Sequence, residues 1–436
     1  MHTKILPLKE QWPISDNRLK YRLENILPKL MQEEGIDMWI VTSQENNEDP
    51  VMKTFLPSPW TTSGRRTILV FHLKENGDFE KLMIGRPGGF MAKAYTGVWL
   101  NCKGSDLGRY MSLFGGGEVK NEGPPETQME CLTRIINERK PKKIGMNFSE
   151  VDFHGFGDGI SHGAFKLISG SIGSENSAKI VSASRLCVRW LETRSQEEIT
   201  TFKGVVAITA EIMKQALSSN VVHPGVTTVS WLEAWIMQYC QDLGVKPWFP
   251  FYVVVRRKNS PGLFGDTIIQ EGDIIHCDMG IEYLGLCSDL QCNAYVLKKG
   301  ETVPPAGIQK LFEQGKMFQD IITSEFKIGR TGNEILANSL KRAEAAKISG
   351  MIYTHPIGFY GHSPGTGIGY IDNQKSVKGW GEHPIHDDTA YALELNVSAP
   401  IPEWEDSMLM LGIETDIIFT GGKVNYYYRQ EELFII

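Results

Sequence analysis

The chain has 436 residues, too many for one ordinary core, so two domains are expected. A hydrophobic share of 41%, a charged share of 22% and a net charge of −7 describe a globular chain. They supply no basic stripe for nucleic acid or acidic lipid, and no apolar run approaches the roughly 20 residues that span a bilayer. The first residues, MHTKILPLKEQWPISD, lack the apolar core of a signal peptide. A cytoplasmic location is the expectation, unless a leader has already been removed. Seven cysteines without regular spacing favour reduced thiols over a disulfide framework.

In chain order, the apolar spacing of Leu19, Leu23, Ile26, Leu27, Leu30 and Met31 predicts a helix over 16–35, with Asp16 as N-cap and Gly35 as stop. Strands follow at 37–42, 67–72 and 81–85, then a helix at 131–139 and a strand at 143–146. This alternation predicts a small α/β domain. Residues 155–174, rich in Gly and Ser, read as a loop. A boundary is expected near 182–195, with 190–198 as a linker ending in a helix start, dividing the chain into an N-terminal domain, 1–184, and a catalytic domain, 185–436. Ser195 with Glu198 three residues on is a capping box, opening a helix through Leu217. A second helix is expected at 229–244, a strand at 249–255, helices at 305–326 and 331–350, and strands at 391–399, 409–420 and around 424–434.

The stretch Ile274–Leu290, IIHCDMGIEYLGLCSDL, carries the chemistry. It reads as a hairpin of two antiparallel strands that brings together Asp278 and Asp289. Two carboxylates in an apolar sheet repel and take up protons unless a cation sits between them. Later strands supply Glu394 and Glu414, and the Gly/His/Pro segment supplies His362. Four carboxylates and an imidazole suit two divalent ions, Mn²⁺ above Co²⁺ or Zn²⁺ on oxygen-rich ligation. Two ions about 3.5–4 Å apart activate a water and polarise a scissile carbonyl. Cys277, Cys287 and Cys292 lie nearby, but they form no CxxC pair, and strand alternation turns two of them away from the aspartates.

In this order the residues resemble the pita-bread metallopeptidases: Xaa-Pro aminopeptidases, prolidases, methionine aminopeptidases and creatinases. The resemblance runs through Glu192-Thr-Arg-Ser-Gln-Glu-Glu-Ile, His223-Pro-Gly-Val-Thr, Glu271-Gly-Asp-Ile-Ile-His-Cys-Asp-Met-Gly, Gly361-His, Leu393-Glu and Gly412-Ile-Glu-Thr-Asp. The eleven-residue step from Asp278 to Asp289 is its most specific match. It implies an α+β chain, with a C-terminal pita-bread fold preceded by a smaller α/β domain of the creatinase type. It implies a dinuclear-metal aminopeptidase acting on short peptides, Xaa-Pro bonds included, and a homodimer. By resemblance Asp278 chelates one ion, Asp289 and Glu414 bridge, His362 and Glu394 hold the other, and Glu394 is the general acid/base. Two imidazoles usual in the family are missing, one from the loop 258–266 and one from 367–373. His355, seven residues before His362, is the expected replacement as a donor to substrate.

Four rival readings are weaker. Gly361-His-Ser-Pro-Gly365 fits a nucleophile elbow, but the residue after Ser363 is Pro364, which has no N–H for an oxyanion. Gly365–Gly369 lacks the strand–helix setting of a dinucleotide loop. A scaffold without peptidase activity, or a metal-free creatinase-like amide or amidine hydrolase, would have little use for all five positions.

Overall fold

The computed structural model describes residues 5–85, 91–103, 125–150 and 155–436. The chain divides into two compact units at the boundary between Leu191 and Glu192. No helix among the described residues is long and apolar enough to cross a membrane.

The unit from Pro7 to Leu191 is built on a sheet whose described strands run in the order Thr96–Gly97, Phe79–Ile84, Thr67–Leu73, Met38–Ser43, Ile144–Met146, Ile180–Ser182. Met38–Ser43 pairs antiparallel with Thr67–Leu73 and parallel with Ile144–Met146, the mixed pattern of an α/β layer. Its first helix starts earlier than expected, at Leu8, and passes through a π-helical turn, Arg22–Ile26, before ending at Gly35. Asp16 lies inside that helix rather than capping it; its carboxylate accepts the Ser58 N–H at 2.7 Å and pairs with Lys93 at 2.9 Å. Two other expectations fail. The Gly/Ser-rich stretch holds a helix, His162–Ser171, because the Ser161 hydroxyl accepts the Ala164 N–H and caps it. The boundary region also holds a helix, Ser184–Glu192, which takes in the first residues of the expected linker and buries Leu186, Val188, Trp190 and Leu191.

The unit from Glu192 onward carries the longer strands. Its main sheet runs Gly350–Ile352, Thr389–Ile401, Ser407–Thr420, Leu290–Tyr295, Ile274–Met279, Tyr252–Arg256. Two helix pairs cover one face. Gln196–Ala216 and Val229–Leu243 enclose Val253, Ile275, Cys277, Met279, Cys292 and Ala294. Ala306–Thr323 and Gly332–Ala345 enclose Leu393, Leu395, Val397, Leu411 and Ile413. Strand alternation therefore turns His276, Asp278, Gln291, Asn293, Glu394, Asn396 and Glu414 to the other face. Cys277 and Cys292 point into the core, where burial raises both thiols.

The capping box at Ser195 is present: its hydroxyl accepts the Glu198 N–H at 3.1 Å, and Glu198 accepts the Ser195 N–H at 2.8 Å. The expected hairpin is more divided than its sequence implies. Ile274–Met279 pairs with Leu290–Tyr295, while Ile281–Tyr283 and Leu286–Cys287 form a separate tip. Leu284 (φ 52°) and Gly285 (φ 71°) make the two-residue turn between them, both in the left-handed region that such a turn requires. Gly350 does not stop the helix before it, which ends at Ala345; it opens a strand.

Candidate metal centre

Four adjacent strands place four polar side chains in one row. Glu394 lies directly opposite Glu414, Glu414 opposite Gln291, and Gln291 opposite Asp278. Directly paired residues share a face, with side chains roughly 4.5–5.5 Å apart at Cβ. Asp289 enters this row from just before the Leu290–Tyr295 strand, where its N–H donates to Asp416 Oδ2 at 2.9 Å. One carboxylate oxygen from each of Asp278, Asp289 and Glu414 lies within 4.8 Å of the others.

The two imidazoles sit at different depths beside the carboxylates. His355, expected as a donor toward substrate, stands among the carboxylates. Its Nε2 is 3.7 Å from Asp289 Oδ2, 3.7 Å from Glu414 Oε1 and 4.0 Å from Glu394 Oε2. His362, expected as a ligand, is the more exposed ring and groups only with Asp289 and His355. It packs edge-on against His355, with centroids 4.6 Å apart, and against Trp248 at 5.2 Å.

The hydrogen bonding of His355 fixes its tautomer. Nδ1 lies 3.0 Å from the Pro356 carbonyl oxygen. A carbonyl only accepts, so Nδ1 carries the proton and Nε2 presents a lone pair to the carboxylates. Burial, with His362 beside it, lowers the ring's pKa to about 3, so a second proton is not held at neutral pH. A lone pair facing three carboxylates calls for a cation. Asp278 Oδ1, Asp289 Oδ1, Glu414 Oε1 and His355 Nε2 are all buried without a hydrogen-bond partner, which is the condition of atoms made to hold an ion. The donor set, oxygen with one or two imidazoles, fits divalent metal ions.

The electrostatics agree. Burial raises Asp278 to about 7, and burial with the nearby Asp278 charge raises Glu394 to about 8. Asp289 and Glu414 are raised well above the usual range by burial first and by their acidic neighbours second. Protons hold these charges apart where no metal does.

Three supporting residues escaped the sequence reading. Gln291 sits between Asp278 and Glu414 in the row, and its amide donates to Glu394 Oε1, orienting that carboxylate. Asp416, buried two residues after Glu414, fixes the backbone of Asp289. Trp248 donates from Nε1 to the Ser288 carbonyl at 2.8 Å and backs His362. Asp416 had a visible signal, an acid repeated at strand period two. Gln291 shared that period with Asp289, but only the cross-strand register reveals its place.

The model of the family described as Metallopeptidase family M24 matches residues 201–421. No curated protein matches the chain in sequence. Among solved structures it is similar to the X-Pro aminopeptidase of Thermotoga maritima MSB8, at 16% identity and a TM-score of 0.62, over 94% of this chain and 100% of that one. It is similar to the Xaa-Pro dipeptidase of Bacillus anthracis, at 16% identity and 0.60, over 96% and 100%. A third likeness is to the prolidase of Pyrococcus horikoshii OT3, at 14% identity and 0.55, over 94% and 99%. At these identities the likeness is one of fold: an α/β N-terminal domain before a pita-bread domain, as the sequence implied.

Proposed function

The chain belongs to metallopeptidase family M24, and from that premise we propose that it is a dinuclear-metal aminopeptidase or dipeptidase. Its substrate is a short peptide cleaved at the first amide bond, Xaa-Pro bonds included, as the names of its structural neighbours suggest. The observation that carries this reading is the buried His355 Nε2 facing Asp289, Glu394 and Glu414.

Asp278, Asp289, Glu394 and Glu414 would hold the ions together with His355, which takes the ligand place first given to His362. Mn²⁺ suits this oxygen-rich set better than a thiophilic metal does. When bound, such ions supply Lewis-acid polarisation of the scissile carbonyl and of water. The chain's own groups do the rest. Glu394 has an 18% exposed side chain against 1% for Glu414, so it is the carboxyl that reaches incoming solvent and peptide. Its Oε2 takes the proton of the attacking water and returns it to the leaving amine. Gln291 holds the other oxygen still through that transfer. His362, exposed and braced by Trp248, offers its ring to the substrate carbonyl. With His355 as the ligand, His362 also supplies an imidazole seven residues later, where the family resemblance leads one to look for a second.

Metal content and peptide hydrolysis test this reading together. The carboxylate row of the native chain should carry about two transition-metal ions, and Asp289→Ala should lose them along with hydrolysis of Xaa-Pro and plain N-terminal peptides. Full metal retention in the variant would sink the ligand assignment. No turnover of any short peptide by the metal-loaded native chain would favour a binding protein instead.

A further inference from the structure

A second group of metal-type donors lies outside the carboxylate row. Glu192, with a side chain 2% exposed, meets His383 Nε2 at 3.1 Å through each carboxylate oxygen. His386 Nε2 stands 3.9 Å from Glu192 Oε1, and the two imidazole centroids are 5.4 Å apart. One donor atom from each of the three residues falls within 4.8 Å of the other two. Zinc bound at 2.0–2.1 Å in a tetrahedral site spaces its donors about 3.3 Å apart. The observed 3.1 and 3.9 Å bracket that separation, so an ion needs only small side-chain rotations.

The carboxylate is also held in place from behind. Gly365 (φ 143°) lies so close that a Cβ there would sit 2.8 Å from Glu192 Oε2 and 2.9 Å from Pro356 Cγ. Glu192 is therefore packed against the Gly365 backbone, just past His362. The Glu192 carboxylate is buried and faces both imidazoles, a carboxylate and two ring nitrogens converging on one point. The partly exposed His386, at 29%, leaves room for a water as fourth ligand. Two histidines and one glutamate with an open fourth position is a donor set that zinc takes.

We propose that Glu192, His383 and His386 form a separate mononuclear site for a divalent transition metal, zinc by its donors. Bound there, the ion ties the start of the catalytic unit to the 383–386 turn and steadies the Gly365 segment. His383-Pro-Ile-His386 is the sequence trace of this site, an HxxH pair in a turn, with its acidic partner nearly two hundred residues earlier.

Zinc stoichiometry of the full chain after equilibration with Zn²⁺ alone tests the proposal. His386→Gln, at the most exposed ligand, should release one zinc equivalent per chain, and Glu192→Gln should do the same. The Co²⁺-loaded Asp289→Ala chain should still show tetrahedral visible absorption, which adding His386→Gln abolishes. Circular dichroism of each variant identifies any that fail to fold, and His383→Gln is the substitute in that case. Zinc content unchanged by folded His386→Gln and His383→Gln variants would overturn the site. Because those single variants leave the carboxylate row intact, that failure is distinct from a failed Asp289 assignment, which shows as the row's two ions retained in Asp289→Ala carrying His386→Gln.

Discussion

At the scale of single residues, one hydrogen bond separates the roles of two histidines. The Pro356 carbonyl takes the Nδ1 proton of His355 and so aims Nε2 at the carboxylates, while His362 has no such orientation and stays partly in solvent. His355→Ala should therefore lose metal and, with it, activity. His362→Ala should keep its metal yet drop in kcat/KM by about 10²–10⁴, the range for loss of one proton-transferring or polarising side chain. Metal analysis beside steady-state kinetics separates the two; metal loss in the His362 variant alone would restore the sequence assignment. The sequence made the carboxylates legible because each sits on a strand among apolar neighbours at period two. It did not distinguish the imidazoles, since both lie in a Gly/Pro-rich segment without periodicity, where only the chain path and ring orientation decide.

At the scale of elements, helix starts were legible where a side chain caps them. Ser195 and Glu198 satisfy two helix N–H groups reciprocally while both are buried, at 7% and 0% exposure. Water cannot replace a lost partner there, so Ser195→Ala should destabilise the catalytic unit by about 1–2 kcal/mol, the upper part of the N-cap range. Urea unfolding measures it; a midpoint unchanged from the native chain would mean that the cap contributes nothing. The first helix starts at Leu8 behind Pro7, which makes no side-chain cap, so the sequence points to Asp16 instead. The polar residues of 190–198 read as a linker, yet the Ser184–Glu192 helix reaches into it, because its buried Leu186, Val188, Trp190 and Leu191 decide the matter. Pairing register was the least legible feature. The hairpin was visible in outline, but that Asp278 faces Gln291 and not Asp289 follows from where the turn residues Leu284 and Gly285 fall.

At the scale of the whole molecule, the metal row ties folding to pH. Without metal, folded Asp278 titrates near 7 and Glu394 near 8, and Asp289 and Glu414 are raised as well. In the unfolded chain all four titrate near 4. Between these limits the folded state holds protons that the unfolded state has released, so stability falls as pH rises through the window. Buried His355 and His276, lowered to about 3 and about 4, act in the opposite sense, since the unfolded imidazoles take up protons below about 6.5. In the other unit Asp49 is raised by burial to about 6, and its effect is largely spent above neutrality. Above pH 6.5 the carboxyl row is left to dominate. The metal-stripped chain should lose melting temperature from pH 6.5 to 8, on the order of 5 °C for a unit this large. Added Mn²⁺ should flatten that slope, because the cation takes the place of the protons and its uptake releases them. Differential scanning calorimetry at stepped pH, with and without metal, reads both effects. A metal-stripped melting temperature that rises across this window would show that the four carboxyls are ionised in the folded chain, and the need for a cation at His355 would go with it.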